Sequence, residues 1–135
     1  MEKLFVSYSI ALELKKKGFD EDVIAYYDVQ DNNKLKPIPS GEEINSFHAN
    51  RNKLMVASPL YQQVLDWLRN THTIDICHEL DFYNHPIHTN GDWKYMGYEC
   101  CIWKNREIEK DLSGETFDDY YKLMDYAIRE ALKLI

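Results

Sequence analysis

The chain has 135 residues, a net charge of −7 and a hydrophobic fraction of 44%. That apolar content is too high for a disordered segment, and the acidic balance repels phosphate backbones, which argues against duplex nucleic acid as a partner. No run of about 18 apolar residues occurs, so no membrane-spanning helix is expected. Met1 to Val6 lacks the long apolar core of a signal peptide, which points to the cytoplasm. The length suits one domain spanning residues 1–135. Cys77, Cys100 and Cys101 are odd in number, against a disulfide framework.

Ser7 to Lys17 reads as a short helix with Tyr8, Ala11, Leu12 and Leu14 on its apolar side. Gly18 is expected to end it in the left-handed conformation, with Phe19 folding back onto Leu14. Lys15, Lys16 and Lys17 form the one cationic run, and they complement the helix dipole at this end. Val23 to Val29 and Leu35 to Ile38 read as two strands of a hairpin turned by Asp31, Asn32 and Asn33. Pro37 cannot donate to a ladder, so its strand belongs at an edge. Ser40 and Glu43 resemble a capping box, Ile44 and Phe47 fit one helical turn, and His48 to Asn52 reads as loop. Leu54 to Ala57 is a short apolar strand that feeds the next helix.

That helix is the best-specified element. Ser58 is placed to cap it and Pro59 to occupy its first position. Leu60, Val64, Trp67 and Leu68 recur at helical spacing, widened by Tyr61 and Leu65, which predicts burial over more than half the circumference. Ile74 to Leu80 alternates as a strand. Asp81 to Asp92 carries loop chemistry, Trp93 to Lys104 is the longest strand candidate, and Glu107 to Glu115 is polar with Ser113 and Gly114 as punctuation. Thr116 is expected to cap a final helix whose stripe is Phe117, Tyr120, Tyr121, Met124, Ala127, Ile128, Ala131 and Ile135, with Lys122, Asp125, Arg129, Glu130 and Lys133 on its charged side. These elements predict an α+β fold: an antiparallel sheet of about four strands packed against two main helices, plus a short N-terminal helix.

The block Leu60 to Arg69, LYQQVLDWLR, resembles a "PLYQQAFDWFREKY" signature found in a family of small uncharacterised proteins of gut bacteria and their phages. Ser7-Tyr8 to Gly18-Phe19-Asp20, followed by Ala25-Tyr26-Tyr27-Asp28, is similar to that family's start, and the acidic-aromatic last helix fits it too. The likeness covers most of the chain except about Asp81 to Glu115. It implies an accessory protein of a phage or other mobile element, acting in the host cytoplasm if phage-encoded, and it carries over no catalytic residue.

Candidate chemistry gathers in the second half. His72, Cys77, His78, His85, His88, Cys100 and Cys101 include zinc-type donors, but there is no Cys-x-x-Cys or His-Glu-x-x-His motif, and neighbouring donors alternate across a strand. No metal or cofactor is therefore predicted. Strict alternation along the long strand would put Trp93, Tyr95, Gly97, Glu99, Cys101 and Trp103 on one face, and Lys94, Met96, Tyr98, Cys100, Ile102 and Lys104 on the other, core-facing one. The first face is an aromatic platform, and at Gly97 a ligand or another backbone can come close.

The favoured function is a non-catalytic binding protein that captures a protein partner or a small ligand through that platform. Its sharper form sequesters a nucleotide-type immune signal between subunits of a homodimer. Trp93, Tyr95 and Trp103 would stack, with Lys94, Lys104, Arg106, His85 and His88 around them. Two alternatives stand beside it: a small hydrolase using Glu79 or Glu99 with His78, and an acidic mimic of nucleic acid that blocks a host enzyme.

Overall fold

A computed structural model of the chain describes residues 2–38, 44–45, 51–83, 91, 94–112 and 115–135. The first helix, α1, spans Tyr8–Lys16. Gly18 takes φ 83° and both bonds of a left-handed stop are made. Phe19 N–H donates to Leu14 O at 3.0 Å, and Gly18 N–H donates to Lys15 O at 3.4 Å. Phe19 is thereby turned into the same buried cluster as Leu14. Replacing Gly18 with alanine is expected to cost about 1–2 kcal/mol in a denaturant melt. Nothing lies within 4 Å of the added methyl, so the cost comes from backbone conformation alone.

After α1 come β1 (Asp22–Val23), β2 (Ala25–Asp28) and β3 (Lys34–Pro37). β2 and β3 form the expected hairpin, turned by Asn32 and Asn33 at φ 50° and 57°. Asparagine tolerates that conformation because its short amide can bond locally. The sheet order β3-β2-β5 puts Pro37 at an edge, where its missing donor costs no ladder bond. β5 (Met55–Ala57) is the short strand before the long helix. Ile44, expected in a helical turn, instead pairs with Val23, as β4 (Ile44–Asn45) lies antiparallel to β1. Ser40, Glu43, Phe47 and residues 48–50 fall outside the described residues, and so does the capping box expected there.

The second helix starts later than Ser58 and Pro59 suggest. Ser58 N–H donates to Ala25 O at 3.0 Å and Pro59 O accepts from Val6 N–H at 3.1 Å, so both residues prolong extended chain. That pairing holds the backbone of both residues extended, so the helix cannot begin at them. α2 spans Tyr61–His72, with Leu60 as the flanking residue and Gln63 Oε1 accepting the Leu60 N–H at 2.9 Å. Gln63 thus supplies the reaching-back half of a capping box. Val64, Leu65, Trp67 and Leu68 are buried as their spacing predicts, and the Trp67 ring meets Phe19 edge-on at 5.4 Å.

β6 (Ile74–Tyr83), β7 (Lys94–Lys104) and β8 (Glu107–Asp111) form a second antiparallel sheet in that order. β6 runs beyond Leu80, and β8 lies where only polar punctuation was expected. Asn105 and Arg106, at φ 52° and 69°, turn the chain straight back along β7. An edge strand meets water on one side and needs few apolar residues, so its charged sequence hid it.

The last helix, α3, spans Tyr120–Leu132 and is capped by Asp119 rather than Thr116. Asp119 Oδ1 accepts from Tyr121 N–H at 2.8 Å and from Lys122 N–H at 3.3 Å. Thr116 cannot cap because the adjoining Phe117 exchanges two backbone bonds, of 2.7 and 2.9 Å, with Tyr98. Leu123, Met124, Ala127, Ile128 and Ala131 are sealed from solvent, and α3 packs on β6, β7, α1 and α2. Glu130, expected on the charged side, is buried between Lys110 of β8 and Lys133.

The fold is α+β as predicted. The described residues form two antiparallel three-stranded sheets and a two-stranded pair, with three α-helices, in place of one sheet of about four strands. No helix among them is long and apolar enough to cross a membrane.

Candidate binding surface

The long hairpin β6–β7 carries the candidate residues, and a bulge decides which way they point. Pairing runs from Ile74 opposite Lys104 to Asp81 opposite Gly97, and then jumps to Phe82 opposite Tyr95. Met96 is the extra residue. One inserted residue flips every side chain beyond it to the other face. Tyr95 therefore shares the helix-side face with Tyr98, their rings edge-on at 6.0 Å. Trp103 lies on the outward face with Cys101, Glu99 and Gly97. The single platform expected for Tyr95 and Trp103 is thus divided between two faces. Trp93, His85 and His88 fall outside the described residues.

Gly97 is approached by backbone. A Cβ there would sit 2.4 Å from Phe117 O and 2.6 Å from Thr116 Cγ2. The cations expected around the platform are spread out. Lys94 and Lys104 stand at opposite ends of β7, roughly 30 Å apart at strand rise. Lys104 Nζ donates to Leu134 O at 2.8 Å, past the end of α3, and Arg106 is exposed in the turn.

On the helix-side face the hairpin projects past the start of α3, and a run of aromatic rings follows. Tyr95 meets Tyr98; Tyr98 meets Tyr120 at 5.6 Å; Tyr120 meets Tyr121 at 5.5 Å; Tyr121 meets Tyr61 of α2 at 5.7 Å. His78 packs edge-on against Tyr120 at 5.0 Å. Leu80, Tyr95 and Met96 are 49%, 47% and 46% exposed at one end, and Leu4 is 50% exposed at the other. There Leu4, Leu60, Tyr61, Leu65, Tyr120 and Tyr121 line a shallow groove of about 250 Å³.

The Tyr61 hydroxyl donates to Asp125, and burial followed by that carboxylate pushes its pKa far up. Burial also raises Tyr120, with Tyr121 and Tyr98 adding to it, and raises Tyr95. These phenols stay protonated at neutral pH and can donate to a partner. Sequence reasoning passed over Tyr61, Tyr98, Tyr120 and Tyr121 as site residues. The Tyr120-Tyr121 doublet was the available signal, but their assembly depends on contacts between α2, α3 and β7.

The outward face is acidic. Asp75, Glu79 and Asp81 of β6, Glu99 of β7 and Asp111 of β8 share it, and Glu79, Glu99 and Asp111 with Cys77, Cys101, Trp103 and Ile108 line an open depression of about 440 Å³. Desolvation, then repulsion from Asp81, Glu79 and Asp111, raises the Glu99 pKa. Arg69 reaches in from α2 to pair with Asp75 and Asp66. Glu79 and Glu99 are cross-strand neighbours here, whereas the His78 ring packs on Tyr120 on the other face, so these three do not converge. The zinc-type donors divide likewise: Cys77 and Cys101 face outward, Cys100 is buried, and the His72 ring lies against Trp67 at 4.5 Å. Among the described residues no three His, Cys, Asp or Glu side chains are placed to hold a metal ion.

The elements define an α+β domain with an aromatic surface and an acidic one on opposite faces of a single hairpin. No protein-family model, curated protein or solved structure matches the chain.

Proposed function

We propose that this protein is a non-catalytic binding module whose partner is a protein with apolar contact residues set in a basic surround. The observation that carries the reading is the run of five tyrosines from Tyr95 to Tyr61, flanked by exposed Leu80, Met96 and Leu4. Tyrosine supplies large contact area and a hydroxyl donor at small entropic cost, and it is enriched among residues that dominate binding energy. Charge selects the kind of partner. Asp118 acts on Tyr95, and Asp125 and Asp119 act on Tyr61; along the same run stand Lys3 and Lys122, the latter 3.6 Å from Asp118. With a net charge of −7, the surface favours a cationic partner over a second copy of itself. The role as a phage or mobile-element accessory protein rests on the resemblance of Leu60 to Arg69. A nucleotide-type signal has less support, since the cations needed for its phosphates lie at both ends of β7.

The test is capture of a partner from host extract by the immobilised chain, followed by titration of the purified pair. Tyr95→Ala combined with Leu80→Ser is expected to weaken binding at least about tenfold while leaving Tm within a few degrees, because both side chains are about half exposed. Unchanged affinity in the double variant would remove this surface as the site. A panel of nucleotides in calorimetry checks the sequestering version, and heat from any of them would restore it.

The acidic face supports a second reading, the nucleic-acid mimic, through the five carboxylates that share it. On that reading Glu79→Gln with Glu99→Gln reduces binding, the Tyr95 variant does not, and affinity falls steeply with added salt.

A further inference from the structure

We propose that Cys77 and Cys101 form a reversible dithiol–disulfide site on the outward face of the hairpin, addressed by small-molecule disulfides. The two residues are direct cross-strand partners. Their pair type follows from the ladder. Asn105 N–H donates to Thr73 O at 3.0 Å, so the Thr73/Asn105 pair is hydrogen-bonded, and alternation makes Asp75/Trp103 and then Cys77/Cys101 hydrogen-bonded pairs as well. Such pairs hold their Cα atoms about 5.5 Å apart, inside the 4.4–6.8 Å range that a disulfide spans, but their Cβ atoms stand wider than the roughly 3.8 Å of a relaxed bridge, so a linkage here carries strain and is readily reduced. Burial, then the neighbouring Cys101 and Asp75, pushes the Cys77 thiol up, so exchange is expected to speed up as the pH rises. Cys77 is exposed and Cys101 half-buried, so the first is the point of attack and the second the resolving thiol. Trp103 Nε1–H donates to Cys101 Sγ at 3.1 Å, which fixes the position of that sulfur on the outward face. Cys100, the remaining cysteine, is buried on the opposite face, out of reach of Cys77.

The chemistry closes on itself. The Cys77 thiolate attacks one sulfur of the small disulfide; that S–S bond breaks, and one thiolate leaves and takes a proton. The Cys101 thiolate then attacks Cys77 Sγ of the mixed disulfide, and the second small thiol leaves. The protein loses two hydrogens and the small disulfide is reduced to two thiols. Asp75, Glu79, Glu99 and Asp111 make the approach anionic, with Arg69 bound to Asp75, so a cationic disulfide is favoured over an anionic one.

The experiment treats the reduced full chain with cystamine or with oxidised glutathione, followed by intact mass and a peptide map. The expected product is a Cys77–Cys101 linkage, formed several-fold faster with cystamine, reversed by dithiothreitol, and raising Tm by about 10 °C because the bridge closes a long loop. In Cys77→Ser the adduct is expected to remain as a mixed disulfide on Cys101. A mixed disulfide that persists on Cys77 in the unsubstituted chain, a linkage through Cys100, or an intermolecular dimer as the sole product would each overturn the proposal.

Discussion

Gly97→Ala is expected to destabilise the protein by about 2–6 kcal/mol, the sum of a strained left-handed residue and a forced overpacking. The residue sits at φ 135°, and the added methyl would meet Phe117 O at 2.4 Å and Phe117 C at 3.0 Å. The obstacle is backbone held by two hydrogen bonds to Tyr98, so it cannot swing aside as a flexible side-chain end could. Relief requires the Thr116–Phe117 segment to leave β7. That segment leads directly into α3, so its release would also disturb the packing of Tyr98 on Tyr120. Urea titration with Gly18→Ala as the companion variant separates the effects, since Gly18 carries the backbone cost without the collision. Equal losses in the two variants would show that the close approach at Gly97 contributes nothing.

The second large effect is at Trp67. Replacement with alanine is expected to cost about 3–5 kcal/mol, the usual loss when a buried tryptophan is truncated and its cavity stays partly open. Trp67 is 2% exposed, and its ring touches Phe19 at 5.4 Å and His72 at 4.5 Å. Against a total stability of roughly 5–15 kcal/mol, that approaches the limit of folding at 37 °C. The Phe19 contact joins the stop after α1 to the face of α2. A double-mutant cycle between Phe19→Ala and Trp67→Ala is expected to show coupling of about 0.5–1.5 kcal/mol. Strict additivity would mean that the rings are neighbours without mutual support.

Both variants bear on what could be read before the fold was known. The stop at Gly18 was legible because everything that makes it lies within six residues. The stripe of α2 was legible because helical spacing is a local property. Pro37 announced its edge because it lacks a donor wherever it stands. The starts of α2 and α3 were misread for one shared reason: Ser58 and Thr116 are good caps locally, but tertiary pairing with Ala25 and Tyr98 drew the neighbouring backbone into extended structure. Sheet hydrogen bonds from distant strands outweigh a capping bond worth about 1 kcal/mol.

The candidate surface shows the same division more sharply. Composition marked this chain as rich in aromatics, and the period-two pattern correctly placed Cys100 and Ile102 inward and Cys101 and Trp103 outward. It could not foresee the bulge at Met96, which is defined by the register against β6 and visible in neither strand alone. That single residue moved Tyr95 from the side of Trp103 to the side of Tyr98, and turned one expected platform into two unlike faces. By itself the sequence determined the apolar stripes of the helices, the β2–β3 hairpin, the acidic charge and the supply of tyrosines, because those follow from residue type and short spacing. The tertiary structure alone decided which tyrosines meet, which carboxylates share a face and that Cys77 stands opposite Cys101, because each depends on cross-strand register and on how α3 seats against β7.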